Sequence, residues 1–488
     1  MRLTFVQQPK QSQHKVKRHT EVILLMAFAL VLTGTTGCNG LPSSTPAPAA
    51  GPQTYMSPII AGNAPGGTTL VGSTRVNTGA SYYLSTYTVD DTVDTFSQTT
   101  TSFIGAQQGT AVNDAGSFTM LQRGLLNLTT TYTFPYFGST TGAQTYAGSY
   151  AVELASQAGG LVQFLGQPAT PLVATPVCPS IAVAETFQFI TLPEASFISA
   201  NQTAFGSVSI TANGTTVNFS NIQQFTLPSV NGGAPGTPAS VYASTATGAC
   251  SLSPYGNTIS IPANVVTDPN GGAPQTPPVI LGIGPSGLLV ESLAASNSSP
   301  NNVLGAGTGA IGVPQPSSPL GATPVAGTSQ PQYLGFIYSS GGVVSGSPTI
   351  WTSTVASFGF PTVPSGCSTV TPQTGTLIYG GDFPVNTATG LPDPTPANAQ
   401  NPNYPYGNCD FAIDLGTESA TNNGLYPAAK VWISSQFAAN TTSPKKTYSF
   451  PAVAIASQLQ GKFVILLIGE DTTSNPHQAW SIYLMQSN

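Results

Sequence analysis

The chain has 488 residues, of which only 6% are charged, whereas about a quarter is usual in globular domains. Its 11 Lys and Arg face 17 Asp and Glu, a formal net charge of −6, so we expect no basic surface and no nucleic-acid partner. The 52 Gly and 43 Pro stay below the share of about 25–30% that marks a disordered chain, and 9% of the residues are aromatic. We therefore expect a folded protein with an uncharged polar surface.

The first predicted element is a short apolar run at residues 22–32. Five basic residues precede it (Arg2, Lys10, Lys15, Lys17 and Arg18), and the small residues 34–37 follow it. A helix of this length covers about 16 Å, roughly half of the hydrocarbon core of a bilayer. A basic region, a short apolar region and small residues are typical of a secretory signal peptide, which we predict at residues 1–37.

The signal peptide ends at a cysteine. The stretch "TTGC", residues 35–38, resembles the lipobox of bacterial lipoproteins, with Thr35 where that family usually has Leu. The resemblance implies cleavage before Cys38, lipid on its sulfur and a membrane as partner through that lipid. Asn39 is not the Asp that holds family members at the inner membrane, so the resemblance implies the outer membrane of a Gram-negative cell. Residues 38–53, rich in Pro, Ala and Ser, are predicted to form a disordered tether.

Removing the signal peptide changes the number of charged and histidine side chains in the chain. Five basic residues and one acidic residue precede Cys38, so 6 and 16 remain, a net charge of −10. His14 and His19 leave as well, and His477 then lies in a polar loop between two predicted strands. A lone loop histidine is more often solvated than catalytic, and no G-x-S-x-G motif accompanies it. We expect no catalytic residue, no metal and no cofactor.

The region after the tether is predicted to be all-β. Residues 207–219 alternate apolar and polar side chains around Asn213-Gly214, the strongest short hairpin signal. Residues 149–166, 279–293 and 462–486 repeat this pattern, and helical patterns are nearly absent. Antiparallel sandwich or barrel-like sheets are therefore predicted, with a β-propeller as the alternative.

A long stretch of low complexity divides this region. Residues 294–332 contain no charged and no aromatic residue and many Gly, Pro and Ser, and they are too long for an ordinary connection. We predict a linker that joins a first β region, residues 54–293, to a second, residues 333–488. The other interpretation is a long excursion on one face of a single unit.

The cysteines that remain after Cys38 are even in number, as expected for disulfides in an oxidising envelope. They are Cys178, Cys250, Cys367 and Cys409. Of the three connectivities we favour Cys178–Cys250 with Cys367–Cys409, because each pair then lies within one half of the chain. A metal site is the rival interpretation, but no two of these cysteines are close in sequence and no His is near them.

Two acidic clusters are the remaining candidates for chemistry. Asp90 and Asp94 in "TVDDTVDTF" would share one face of a strand and could bind Ca²⁺, although a solvated acidic edge is the more usual outcome. Asp410, Asp414 and Glu418 are spaced by four, and we predict a half-buried strand with these acids facing outward. A glycosidase needs two carboxylates about 5–10 Å apart. We expect instead that these acids, and Glu470 at the end of a predicted strand near His477, are exposed and, apart from sequence neighbours, farther apart than about 10 Å.

Taken together, these features indicate a cell-envelope lipoprotein whose β region has a non-catalytic binding or structural role. Tyr and Phe in the Pro-containing segments 131–139 and 402–408 are candidate contacts for a glycan or an envelope protein. The alternative is a secreted two-carboxylate hydrolase that acts on glycans.

Overall fold

The computed structural model describes the strands of the protein and a few of their connections. The described residues are 53–59, 69–71, 74–76, 81–90, 93, 95–104, 107–108, 112–120, 125–132, 144–152, 159–164, 169–174, 178–191, 204–227, 245–253, 256–261, 279–284, 287, 289–293, 310–325, 333–339, 353–360, 377–382, 411–434, 447–471 and 478–486. None of them is helical, and they form 27 β-strands.

The first eleven strands form a nine-stranded sheet, eight strands of which are joined into a ring, and a small ribbon. They are β1 (Gln53–Ile59), β2 (Thr69–Val71), β3 (Thr74–Val76), β4 (Ser81–Asp90), β5 (Thr95–Ile104), β6 (Gln107–Gln108), β7 (Val112–Met120), β8 (Leu125–Tyr132), β9 (Gln144–Val152), β10 (Gly159–Phe164) and β11 (Thr170–Ala174). Nine of them pair in the order β4-β1-β11-β10-β9-β8-β7-β5-β6, with a further pairing of β4 and β5, and β2 pairs with β3 alone.

The next eight strands close into the first barrel. They are β12 (Ser180–Thr191), β13 (Ala204–Asn213), β14 (Thr216–Thr226), β15 (Thr245–Ser253), β16 (Gly256–Ile261), β17 (Val279–Ile283), β18 (Leu289–Leu293) and β19 (Ala310–Pro314). Each strand pairs with the next in antiparallel fashion, and β19 pairs back with β12.

The last eight strands close into the second barrel in the same way. They are β20 (Tyr333–Ser339), β21 (Ser353–Phe360), β22 (Leu377–Asp382), β23 (Phe411–Asp414), β24 (Leu425–Ser434), β25 (Thr447–Leu459), β26 (Lys462–Asp471) and β27 (Gln478–Gln486). β27 pairs with β20 to complete the ring. The prediction of an all-β fold with antiparallel, barrel-like sheets is therefore confirmed, and the closed rings are barrels rather than propeller blades.

The alternation of side chains explains why the strands pair as they do. In the hairpin of β13 and β14, Val208 and Ile210 are buried inside the first barrel, as the sequence predicted. Gly214 supplies the turn with a φ of 91°, and the Asn213 side-chain oxygen accepts a 2.9 Å hydrogen bond from the backbone N–H of Thr216. Asn213 is the last residue of β13, so the two-residue loop is Gly214-Thr215, and glycine suits its first position because that position has positive φ.

Side chains fill the interior of each barrel. The first barrel contains a cluster of aliphatic and aromatic residues, among them Phe187, Phe189, Ile210, Phe219 and Ile259. The second contains four rings in mutual contact: Phe358, Phe411, Phe450 and Trp480. Eight-stranded barrels are narrow enough for side chains to fill, and both barrels here have packed cores.

Glycines make room for the rings of the second barrel. A Cβ added to Gly380 would collide with the ring of Phe358, and one added to Gly335 would lie 2.6 Å from that ring. On the other side of the barrel, a Cβ on Gly469 would lie 2.6 Å from the ring of Phe450. The absence of a side chain at these positions lets a large ring lie flat against the barrel wall.

A third apolar core lies between the β units. From the first barrel it takes Ile190, Phe205, Leu227, Ile311 and Val313. From the second it takes the outward-facing residues of four strands: Leu334, Phe336, Val453, Ile455, Val464, Leu466, Ile468, Tyr483 and Met485. Leu161 and Val173 of the nine-stranded sheet join the same cluster. We call this cluster the shared core.

The predicted linker contains a strand. β19 lies within residues 294–332, is buried over Ala310–Val313 and closes the first barrel. The first barrel thus ends at Pro314 rather than near residue 293. The sequence "AIGVP" does not predict a strand, because its small residues resemble the Gly- and Pro-rich stretch around it.

We predict that Gly380→Ala lowers the free energy of unfolding by about 1–3 kcal/mol, because the new methyl group overpacks the wall against Phe358. Urea unfolding would measure the loss. In a double-mutant cycle, Phe358→Leu should make the same Gly380→Ala change less costly, because the smaller side chain vacates the space. Strictly additive effects of the two substitutions would contradict this origin.

Candidate functional site

The structure describes four of the acids considered above. Asp90 ends β4 in the nine-stranded sheet and is half-buried. Asp414, Glu418 and Glu470 belong to the second barrel and its connections. Asp94, Asp410, His477, Cys367 and Cys409 lie outside the described residues, as do residues 133–139 and 402–408. The predictions for these residues stay predictions.

Asp414 is fully buried, so the prediction of an outward, solvated acidic face was wrong. All four residues of β23 are buried, including Ala412 and Asp414 on the face opposite Phe411 and Ile413. The side-chain oxygen Oδ1 of Asp414 accepts a 2.9 Å hydrogen bond from the backbone N–H of Gly416. Alternation in a strand separates its two faces, but whether the second face meets water depends on what packs over it.

Glu470 is also buried, with 5% of its surface exposed, which again differs from the expected solvation. Two strands, β24 and β25, lie between the strands that carry Asp414 and Glu470. Three strand spacings correspond to roughly 14 Å across the sheet. That is longer than the separation of about 5–10 Å at which two carboxylates cooperate in glycoside hydrolysis.

The disulfide Cys178–Cys250 confirms one of the two predicted pairs. Its Cα atoms are 5.7 Å apart, and it joins the residues before β12 to β15. At the same end of the first barrel, Pro179 accepts a backbone hydrogen bond from Gly214 and Thr215 accepts one from Cys250. The disulfide therefore links the segment that enters the first barrel at β12 to β15, the third strand after β12 in the ring.

The densest polar arrangement in the described residues surrounds the connection between the two barrels. We call residues 314–325, which follow from β19, the strap. The carboxylate of Glu418 accepts hydrogen bonds of 2.5–3.0 Å from three backbone N–H groups: Leu320 and Gly321 of the strap, and Gly424. One side chain of the second barrel thus holds two separate stretches of backbone.

Four more side chains of the second barrel bond to carbonyl groups of the strap. Ser457 donates to Pro314 at 2.7 Å, Asn423 to Pro316 at 3.0 Å, Tyr426 to Gly321 at 2.7 Å and Tyr333 to Pro324 at 2.5 Å. The prolines of the strap have no backbone N–H and so cannot donate hydrogen bonds within it. These four carbonyl groups therefore accept hydrogen bonds from side chains outside the strap.

The first barrel contributes to the same junction. The side-chain nitrogen of Gln188 donates a 2.8 Å hydrogen bond to the backbone carbonyl of Asn423, and Gln315 N–H donates one of 2.7 Å to Thr186. The side-chain oxygen of Gln188 is buried without a partner. The amide orientation is set by Asn423, because the reversed amide would place two oxygens against each other.

Local sequence explains how Glu418 comes to face the strap. The loop after β23 turns at Gly416 and Gly424, with φ of 74° and 79°. A Cβ on Gly424 would collide with the carbonyl oxygen of Ala456 and lie 2.8 Å from Pro316. Between them, the Ser419 hydroxyl accepts a 3.2 Å hydrogen bond from Asn422 N–H. Glycine at 424 lets the loop approach both the strap and β25.

The arrangement around Glu418 indicates an anchor rather than a proton-transfer site. Both carboxylate oxygens already accept backbone N–H groups, and the adjacent hydroxyl of Tyr426 donates to a carbonyl. Charge-assisted hydrogen bonds of this kind are among the stronger polar contacts in proteins. The sequence placed Glu418 on a solvated strand face, and its real partners are about a hundred residues away in the chain.

Buried tyrosines accompany this network. Burial raises the pKa of Tyr333 and of Tyr426 above the ordinary value of 10.0, and the charge of Glu418 raises that of Tyr426 further. Burial also raises the pKa of Tyr483 in the shared core, where the nearby Ser481 hydroxyl lowers it by a smaller amount. The Tyr483 hydroxyl has no partner in hydrogen-bonding geometry, so its contact with Ser481 is a weak one.

Other surface features are sparse in the described residues. Val183 and Leu252 are highly exposed on the first barrel, and the Lys430 ammonium lies 5.0 Å from the ring centre of Trp432 on the second. Among these residues, no group of three His, Cys, Asp or Glu side chains could hold a metal ion. The described part of the chain also contains no helix with the length and apolar character of a membrane span.

Comparisons with known proteins do not assign the chain to a family. No protein-family model matches it, and no curated protein matches it. Among solved structures it is similar to the isotype 1 transferrin binding protein B from serogroup B Neisseria meningitidis, at 11% identity and a TM-score of 0.19. The match covers 90% of this chain and 77% of that one. At this TM-score the similarity supports no correspondence between individual strands or residues.

We predict that Tyr333, Tyr426 and Tyr483 stay protonated in the folded protein as the pH rises above 10.0, the ordinary pKa of tyrosine. The unfolded chain would ionise these three side chains near pH 10, so they leave the free energy of unfolding unchanged below pH 10 and lower it as the pH rises above 10. Absorbance of phenolate together with urea unfolding at several pH values would measure both effects.

Tyr483→Phe is the matched control for this prediction. It removes one ionisable group without removing a hydrogen bond, so the variant should lose less stability between pH 10 and pH 12 than the wild type does. Free titration of all tyrosines in the folded protein would contradict the raised pKa values.

Proposed function

We propose that the protein is a cell-envelope lipoprotein, anchored through Cys38, whose β region binds a glycan or an envelope protein on its outer surface. The observation that carries this proposal is the order of the parts along the chain. A lipobox-like cysteine is followed by an uncharged tether, and β1 begins directly after it at Gln53. A tether of this composition separates an anchor from a folded domain.

The packing of the barrels supports binding on the outside. Both interiors are filled by apolar side chains, and the rings of Phe358, Phe411, Phe450 and Trp480 occupy the second. Among the described residues, the side chains inside each barrel pack against one another, which disfavours a small internal ligand of the kind that emptier eight-stranded barrels hold. Contacts with a partner then fall on the outer strand faces and the connections between strands.

A hydrolase with two carboxylates is the less supported candidate. Of the described acids, Glu418 is saturated by backbone N–H groups and Asp414 bonds to Gly416. Asp414 and Glu470 are both buried and about 14 Å apart by strand spacing. None of these features favours a pair of acids that flank a sugar bond.

We predict that Cys38→Ser moves the protein from the membrane fraction to the soluble fraction, because lipid on this sulfur would be the anchor. Intact-mass measurement of the wild type should show a chain that begins at residue 38 and carries two or three acyl groups. A mass that corresponds to an unmodified chain with a different N-terminus would refute the anchor.

We predict that the purified protein sediments with an insoluble glycan or with isolated cell envelopes but releases no reducing sugar from a panel of polysaccharides. The Asp414→Asn variant is the matched control for the hydrolysis measurement. Release of sugar by the wild type, lost in Asp414→Asn, would replace the binding role with the hydrolase. Failure to sediment with either material would leave a purely structural role as the explanation.

A further inference from the structure

The strap continues the chain of the first barrel, yet the second barrel supplies nearly all of its described side-chain partners. Pro314, Pro316, Gly321 and Pro324 each give a carbonyl oxygen to a donor from β20, the loop after β23, β24 or β25. The strap thus belongs to one barrel by sequence and to the other by hydrogen bonding. Its attachment is therefore a mechanical connection between them.

We propose that the Glu418 carboxylate is a latch, an internal ligand of a backbone amide site, that closes the strap onto the second barrel. The proposal does not depend on the function proposed above. The amide site consists of the N–H groups of Leu320, Gly321 and Gly424. Such a cluster of converging backbone N–H groups takes anions, and a carboxylate of the chain itself occupies this one.

Glu418 is the decisive contact because it joins two loops at once. Leu320 and Gly321 lie in the strap, whereas Gly424 immediately precedes β24 in the loop that carries Glu418. Without the carboxylate, three N–H groups lose their acceptor together. The other side-chain contacts of the strap each involve one hydrogen bond to one carbonyl.

The loop that carries Glu418 is itself tied to the barrel wall. Gly424 accepts a 2.7 Å hydrogen bond from Ala456 N–H, and Ser419 N–H donates one of 2.7 Å to Leu425. The loop is thus a rigid support, and the strap is the part that can open. Opening would expose the peptide bonds around Leu320 and Val325 while the shared core stays packed.

The test is limited proteolysis with a protease that cleaves at exposed aliphatic residues, followed by mass mapping of cuts within residues 314–325. Glu418→Gln keeps the size of the side chain but turns an amide NH₂ toward the backbone donors. We expect cleavage in the strap to be at least about tenfold faster than in the wild type. Glu185→Gln, at an exposed position of β12, is the matched control and should leave the rate unchanged.

Chemical rescue distinguishes the latch from a general loss of stability. In Glu418→Gly, formate can enter the vacated amide site, so added formate should slow cleavage of the strap compared with chloride at equal ionic strength. Formate should leave cleavage of Glu185→Gly unchanged.

Two outcomes would overturn the proposal. One is equal cleavage of the strap in the wild type and Glu418→Gln. The other is fast cleavage of Glu418→Gly that formate and chloride affect equally. If Glu418→Gly does not fold, Tyr426→Phe removes one bond to Gly321 and should speed cleavage in the strap by a few fold, and an unchanged rate there would also count against the latch.

Discussion

The structure depends on strands that are buried on both faces. In β25, β26 and β27, alternate residues point into the second barrel, and the residues between them point into the shared core. Val464 to Ile468 are buried without interruption for this reason. A barrel whose outer face is polar and meets water can fold as a separate unit. A barrel whose outer face carries apolar side chains must bury that face against another element. The shared core therefore sets the relation between the barrels before any polar contact forms.

Two-sided burial also determines where polar groups are needed. A connection that passes between two barrels is partly withdrawn from water, so its N–H and carbonyl groups require partners from the protein. The strap meets this need with one carboxylate, two tyrosines, one asparagine and one serine of the second barrel. Charged residues are rare in this chain, and in the described residues Asp414, Glu418 and Glu470 are used inside or between packed elements rather than on a solvated surface.

The sequence predicted the features that depend on neighbours along the chain. Alternation around Asn213-Gly214 identified a hairpin because turn chemistry and strand periodicity act over a few residues. The sequence did not predict β19, because its five residues, "AIGVP", differ little in composition from the surrounding Gly and Pro. The burial of Asp414 and the contacts of Glu418 were not predictable in this way, because they depend on segments about a hundred residues away and on what covers the outer face of a strand.

For the binding role proposed above, packing limits where a partner can bind. Replacing the described core of either barrel by a ligand would remove packing that the fold requires. Specificity for a partner must then come from residues that the packing of the cores does not require. Such residues lie on the outer strand faces away from the shared core and in the connections at the barrel ends. On the first barrel such a face is carried by Thr211, Asn218 and Thr247, with the Thr247 hydroxyl donating to Asn218 at 3.2 Å. An uncharged polar face of this kind recognises a partner by hydrogen bonds and shape. Salt, which screens charge–charge attraction, should therefore have little influence on such binding.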